Sequence, residues 1–255
     1  MNGSPDRALF ELCLRLGDTA LVLGHRLSEW SSKAPTLEED IALSNIALDL
    51  VGQARVLLTH AGEVEGAGRD EDALAYLRDA VDYRNLLLVE QPNGDFATTM
   101  VRQFLYDARA VELWGALASS ADETLAGRAA KAVKESAYHV EHSASWVIRL
   151  GDGTDESRRR MLAALDDLWM FTGEMFTDDD VDRVLAERGV SVLPSSLAAA
   201  WRERVTAVLT EATLPVPPFD AWMQHGGLTG RHTEHLGYLL AEMQFLQRAY
   251  PGARW

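Results

Sequence analysis

One cysteine, Cys13, stands among 255 residues. A lone thiol excludes an internal disulfide and any zinc site built on several thiolates. Its neighbours Leu12 and Leu14 mark it as a small buried hydrophobe. No uninterrupted apolar run of about eighteen residues occurs, so the sequence predicts no membrane span. The opening MNGSPDRALFEL has no basic start leading into an apolar stretch, and predicts no secretory signal. There is no Gly-x-Ser-x-Gly elbow and no phosphate-binding loop. Cations are also short: 24 Lys and Arg face 39 Asp and Glu, for a net charge of −15. Such a field repels nucleic acid and anionic lipid. An anionic ligand would need a local basic patch. Arg158, Arg159 and Arg160 form the densest one, although a run of this kind reads first as a solvated helix face. These absences together predict a cytoplasmic protein with neither nucleic-acid nor membrane partners.

What the sequence has is helical periodicity. With 47% hydrophobic and 25% charged residues and eight prolines, the composition is that of a soluble globular chain with a large core. Period-two alternation is scarce. Leu43, Ile46, Ala47, Leu50, Val51, Ala54, Leu57 and Leu58 make one continuous stripe at three-four spacing. Ile41 and Leu48 lie off that stripe, so this helix is expected to be covered on more than one side. Helices are predicted from about Pro5 to Ser32, with Pro5 in the first turn. The next runs from Thr36, an N-cap with Glu39 at the capping-box position, to Glu65. Others span about Asp70 to Tyr83, Phe96 to Ser119, and Asp122 to Leu150. They continue from Thr154 or Asp155 to Phe176, then over Asp178 to Arg188, Pro194 to Ala212 and Arg231 to Tyr250. The breaks SSKAP, GAGRD, NLLLVEQPNGD, GDGTD and TLPVPPFDAWMQHGGLTG carry the turn residues. Two long helices, a connector and two more long helices predict an all-α four-helix bundle with a crossover connection. The core occupies about residues 5–150 and additional C-terminal helices about 155–255, within a single domain spanning 1–255.

Bundles of this kind can hold two metal ions. Ferritin-like proteins do so with a lone Glu on each of two helices and Glu-x-x-His on each of the other two. Three-residue spacing puts both ligands on one helix face. The residues three before His25, His60, His139, His142, His225, His232 and His235 are Val22, Leu57, Ser136, His139, Trp222, Thr229 and His232, so Glu-x-x-His occurs nowhere. In KESAYHVEH, residues 134–142, Tyr138 stands where the histidine should follow Glu135. A phenol with an ordinary pKa near ~10 is a poor substitute for imidazole. His139, four residues from Glu135, could still reach a shared ion. On the second helix Gly52 follows Asp49 at the same spacing and offers no ligand. Asn45, Asp49 and Gln53 read as a buried, hydrogen-bonded polar row. On the fourth helix Val133, Ala137, Val140, Ala144 and Val147 form an apolar stripe. Glu135, Tyr138, His139, His142 and Trp146 lie opposite, a grouping that suggests interior or interface rather than plain surface. His232 and His235 could bind a metal, or could cap and anchor the Gly-rich loop before them.

The stretches LRLGDTALVLGHRLSEW, IALSNIALDLVGQAR, NLLLVEQPNGDFATTMVRQF, KESAYHVEHSASW, LWMFTGEMF and HTEHLGYLLAEMQFLQRAYPGARW cover nearly the whole chain. Together they resemble the C subunits (the PaaC family) of ring-1,2-phenylacetyl-CoA epoxidases, bacterial multicomponent monooxygenases. LDLVGQAR, LLVEQPNGDFA and LAEMQFLQR are the specific matches. The resemblance implies a ferritin-like fold and a structural subunit without catalytic, metal or cofactor-binding residues of its own. It implies a homologous catalytic A subunit that carries the di-iron centre, a small B subunit, and a reductase with flavin and an iron–sulfur cluster. The whole would use NADPH and O2 to epoxidise phenylacetyl-CoA. The family's ligand places then fall on Asp49 and Gly52 and on Glu135 and Tyr138, a degenerate site beside His139. Glu29 and Glu112 are candidates for the lone carboxylates. The other reading is a ferritin-like enzyme with its own atypical metal site at Glu135 and His139, and perhaps His142.

Overall fold

A computed structural model of the chain describes residues 6–253. Among them there are helices and no strand, so the chain is all-α. The order is α1 (Arg7–Ser28), α2 (Leu37–Glu65), α3 (Glu71–Tyr76), α4 (Leu87–Glu90), α5 (Phe96–Leu117), α6 (Glu123–Gly151), α7 (Asp155–Trp169), α8 (Asp180–Glu187), α9 (Ala198–Glu211), α10 (Glu234–Met243) and α11 (Phe245–Ala249). Short 3-10 turns occur at Ala80–Asp82, Gly173–Phe176, Pro194–Leu197 and Gly227–Thr229.

Helix starts follow their side-chain caps, because the first N–H groups of a helix have no intrahelical acceptor. Asp6, Thr36, Asp70, Asp95, Asp122, Thr154 and Asp179 each accept a backbone N–H of the turn that follows. Pro5 lies outside the described residues. Several predicted helices come out shorter or divided, and the one expected to reach Phe176 ends at Trp169 before the 3-10 turn Gly173–Phe176. The stretch predicted to run to Tyr83 leaves the α-helix after Tyr76, and the connector NLLLVEQ contains α4. The helix predicted from Arg231 starts only at Glu234 and breaks at Gln244.

The residues divide into two compact units, one formed by 1–92 and 226–255, the other by 93–225. In the first, α1 and α2 form a helical hairpin closed by residues 29–36. Gly24 lets the two backbones approach: a Cβ there would lie 3.3 Å from the Ala47 carbonyl oxygen. Leu12, Cys13, Leu23 and Leu27 of α1 and Leu43, Ile46, Leu50, Leu57 and Leu58 of α2 are buried. By length and composition α2 could cross a membrane, but its Leu43–Ile46–Leu50–Leu57 side is core packing against α1. The polar core of this unit centres on Asp18, fully buried, which accepts from the Arg78 guanidinium and from the Arg84 backbone N–H at 2.9 Å.

In the second unit α5 and α6 form the other long hairpin, with α7 and α9 against it. Trp169, Phe176, Trp201 and Phe219 stack with ring centroids 4.9–6.0 Å apart. The buried indoles are satisfied, Trp201 Nε1 donating to the Leu105 carbonyl and Trp169 Nε1 to that of Pro218, both at 3.0 Å.

Candidate functional site

The side chains that a dinuclear centre would recruit are held by other partners or turned outward. Glu135, on α6, has a side chain only 9% exposed, and its carboxylate is occupied: Arg128 Nη2 bonds Oε2 and Lys131 Nζ lies 3.3 Å from Oε1. One guanidinium and one ammonium neutralise the charge that a metal would otherwise balance. Tyr138 is half-exposed and its ring rests 6.2 Å from those of both His139 and His142. His139 is buried and His142 partly buried. On α2, Asp49 is half-buried and Gly52 is exposed, with no atom within 4 Å of where a Cβ would sit.

The candidate lone carboxylates are likewise engaged. Glu29 follows the end of α1 and takes Arg26 Nη1 at 2.9 Å. Glu112, on α5, takes Arg204 Nη2 at 2.8 Å. Among the described residues no group of three or more His, Cys, Asp or Glu side chains is placed to hold a metal ion. Glu135 is thus engaged by cations of its own helix, and Gly52 supplies no ligand.

Two predicted faces are corrected. Of Asn45, Asp49 and Gln53 only Gln53 is buried, and Asn45 is exposed, because α2 turns its Leu43–Leu50–Leu57 side inward. On α6 the buried face runs through Leu125, Ala129, Ala132, Ser136, His139, Val140, Ser143 and Val147, while Ala137 is exposed. Small and polar residues, not the Val133–Ala137–Ala144 line, make the close contact. The arginine run is no free patch: Arg159 and Arg160 both bond Glu156, Arg160 also reaches Asp95, and Arg158 bonds Thr213 and the Gly151 carbonyl.

Two polar clusters escaped the sequence reading. Asp107 of α5 is fully buried, accepting from Gln103 Nε2 at Oδ1 and lying 2.8 Å from Ser143 Oγ at Oδ2. No cation pairs with it in these contacts, and burial raises its carboxyl pKa to about 8, the two hydrogen bonds opposing the shift. Its only signal in the sequence is Gln103 and Asp107 one turn apart in an apolar helix. The second cluster is built on Glu90, fully buried at the end of α4. Its Oε2 accepts from Asn85 Nδ2 at 2.9 Å and lies 2.8 Å from His232 Nδ1. Its Oε1 accepts from the Thr233 N–H at 2.6 Å and hydroxyl at 2.8 Å. His232 Nε2 lies 3.1 Å from the Tyr83 carbonyl. Thus His232 anchors the loop before α10, one of the two roles the sequence allowed for it.

A family model described as "Phenylacetic acid catabolic protein" (PaaA_PaaC) matches residues 1–255. The C subunit of the 1,2-phenylacetyl-CoA epoxidase of Escherichia coli (strain K12) is 53% identical over 242 residues, covering 95% of this chain and 97% of the relative. That name makes the relative one subunit of several. The likeness read from LDLVGQAR, LLVEQPNGDFA and LAEMQFLQR is borne out, and with it the all-α, ferritin-like class and a place in phenylacetate catabolism. The chain belongs to the family of phenylacetic acid catabolic proteins.

Proposed function

We propose that this chain is the non-catalytic, structural subunit of a bacterial phenylacetyl-CoA epoxidase. It pairs with, and stabilises, a homologous catalytic A subunit. The observation that carries the reading is the Arg128–Glu135–Lys131 ion pair on α6, beside a half-exposed Tyr138. A carboxylate held by two cations is fitted to a fold and not to binding iron. Gly52 adds that the corresponding place on α2 has no side chain. Chemistry then belongs to the partner, which would supply the di-iron centre and the phenylacetyl-CoA site. A reductase with flavin and an iron–sulfur cluster would deliver electrons from NADPH, with a small B subunit completing a cytoplasmic complex. The contribution of this chain is to cover an apolar surface of the catalytic subunit and to hold it in shape, as obligate interfaces do.

The test is co-expression with the catalytic subunit, followed by metal analysis by plasma mass spectrometry and an NADPH-dependent epoxidation assay with the reductase. Two irons per heteromeric pair, none in stoichiometric amount on this chain alone, and loss of solubility or activity of the catalytic subunit without it are expected. Two irons bound by this chain alone would restore the enzyme reading at Glu135 and His139. Full activity and solubility of the catalytic subunit by itself would remove the structural one.

A further inference from the structure

The inner side of α2 is core, yet its outer side is also apolar. Leu37 is 72% exposed, Ile41 54%, Leu48 69%, Val51 37% and Val56 40%. At a rise of 1.5 Å per residue these span about 28 Å along one helix. Isolated exposed aliphatics are ordinary, but five along one helix form a patch of the kind that marks an interaction surface. The intervals from Leu37 to Ile41 and from Leu48 to Val51 are four and three residues, the spacing of a seam that another helix fills. Gly52 sits within the face with open space where a Cβ would project. That notch admits a side chain of a facing helix close to the α2 backbone. Between Glu38 and Arg55 the only charged side chains are those of Glu39, Asp40 and Asp49, all half-buried. The middle of the face is therefore uncharged, and its exposed end carries Arg55, whose side chain is 76% exposed.

Resting on the function proposed above, we infer that the outer face of α2 is the docking surface for a long helix of the homologous catalytic subunit. Three observations choose this occupant. The face is as long as a bundle helix, and α1 fills the opposite side of α2 with such a helix. The matched family model names A-type and C-type chains together, so a partner of the same architecture has a helix of the required length. The face also ends at the only Lys or Arg of α2, Arg55, whose Nε lies 3.3 Å from Glu71 Oε1 while its side chain stays 76% exposed, so the outer edge of the guanidinium is open to a carboxylate on the facing helix of the partner.

The experiment compares wild-type chain with Leu48→Glu, each co-expressed with the catalytic subunit, by co-purification, titration and hydrogen exchange of the complex. Leu48 is exposed, so the variant alone should keep the helix content and melting temperature of the wild type. The expected result is at least about tenfold weaker pairing, the scale of removing one buried Leu side chain from an interface. In the wild-type complex, exchange over residues 37–56 should slow relative to the free chain. Wild type and Leu48→Glu pairing equally well, or no added protection over 37–56, would overturn this inference and leave the proposed function standing. Wild-type chain failing to pair at all would overturn both. Self-association of the chain through this face, abolished by Leu48→Glu without effect on the catalytic subunit, would assign the face to a second copy and overturn the occupant named here.

Discussion

Asp107 is buried with only neutral partners in its hydrogen bonds, and the arrangement is satisfied best by a neutral acid. A protonated Asp107 donates to Ser143 Oγ, Ser143 donates to the His139 carbonyl at 2.9 Å, and Gln103 donates to the remaining carboxyl oxygen. Folding thus retains a proton that the unfolded chain, with an ordinary carboxyl pKa near ~3.9, gives up. Because the folded pKa is raised to about 8, the unfolded state binds fewer protons between those values. Stability therefore falls as pH rises from about 4 to about 8 and levels off above. Asp107→Asn keeps the shape and both hydrogen bonds without the ionisation. It should raise the melting temperature little at pH 5 and clearly at pH 8, with a gain on the order of a few kcal/mol. Melting curves across that range check it, and an equal effect at both pH values would mean that Asp107 is ionised in the fold. This residue was not legible in the sequence, since acidic residues are abundant and only its register inside α5 sets it apart. Glu135 shows the reverse limit: its position was legible, but the Arg128 that occupies it reaches along the same helix from two turns away, beyond the usual three- and four-residue pairs.

At the scale of elements, most of the fold could be read directly, because caps are local chemistry. Thr36, Asp122 and Thr154 announce α2, α6 and α7, and each caps as its side chain allows. Which side a helix buries was less legible. On α6 the valines suggested one stripe, yet of it only Val140 and Val147 are buried, beside Ala129, Ala132, Ser136 and Ser143, since small residues let helices approach. On α2 the stripe read from spacing is the buried side apart from Val51, while the off-stripe Ile41 and Leu48, expected to be covered too, are exposed. Two glycines of α2 give a paired prediction. At Gly62 a Cβ would stand 2.1 Å from the Arg69 carbonyl oxygen, a backbone atom of the segment entering α3. Gly62→Ala must displace that segment and should destabilise by about 1–3 kcal/mol, the range of overpacking. Gly52 meets nothing within 4 Å, and Gly52→Ala should stabilise the isolated chain by up to about 1 kcal/mol through helix propensity. Urea unfolding of the two variants measures both signs. A neutral Gly62→Ala would mean that the 62–70 corner yields easily.

At the scale of the whole molecule, the compact unit made of 1–92 and 226–255 is assembled from both ends of the chain. Closing it costs loop entropy, which contacts between the two segments must offset. Glu90 provides three of them from one carboxylate, one to His232 and two to Thr233 of the returning segment, and takes Asn85 of its own segment besides. Its charge also sits at the start of α10, where a helix terminus favours an anion. No sequence pattern links Glu90 to His232 across 142 positions, so this closure was illegible even though VEQPNGDF and HTEHLG were both conspicuous. Glu90→Gln tests it. A carboxamide has one accepting oxygen, so its NH2 must face either the Thr233 N–H or the Asn85 and His232 side, where donors already point. Each buried group left unpaired costs about 1–3 kcal/mol, and the loss falls on the return of 226–253 and not on the α1–α2 hairpin. Hydrogen exchange of Glu90→Gln should therefore quicken over α10 and α11 while α1 and α2 stay protected. Uniform acceleration across the unit would show instead that Glu90 supports the hairpin itself. Wild-type exchange in α10 would show that apolar contacts of Leu236, Leu239 and Leu240, all buried, suffice to hold the segment.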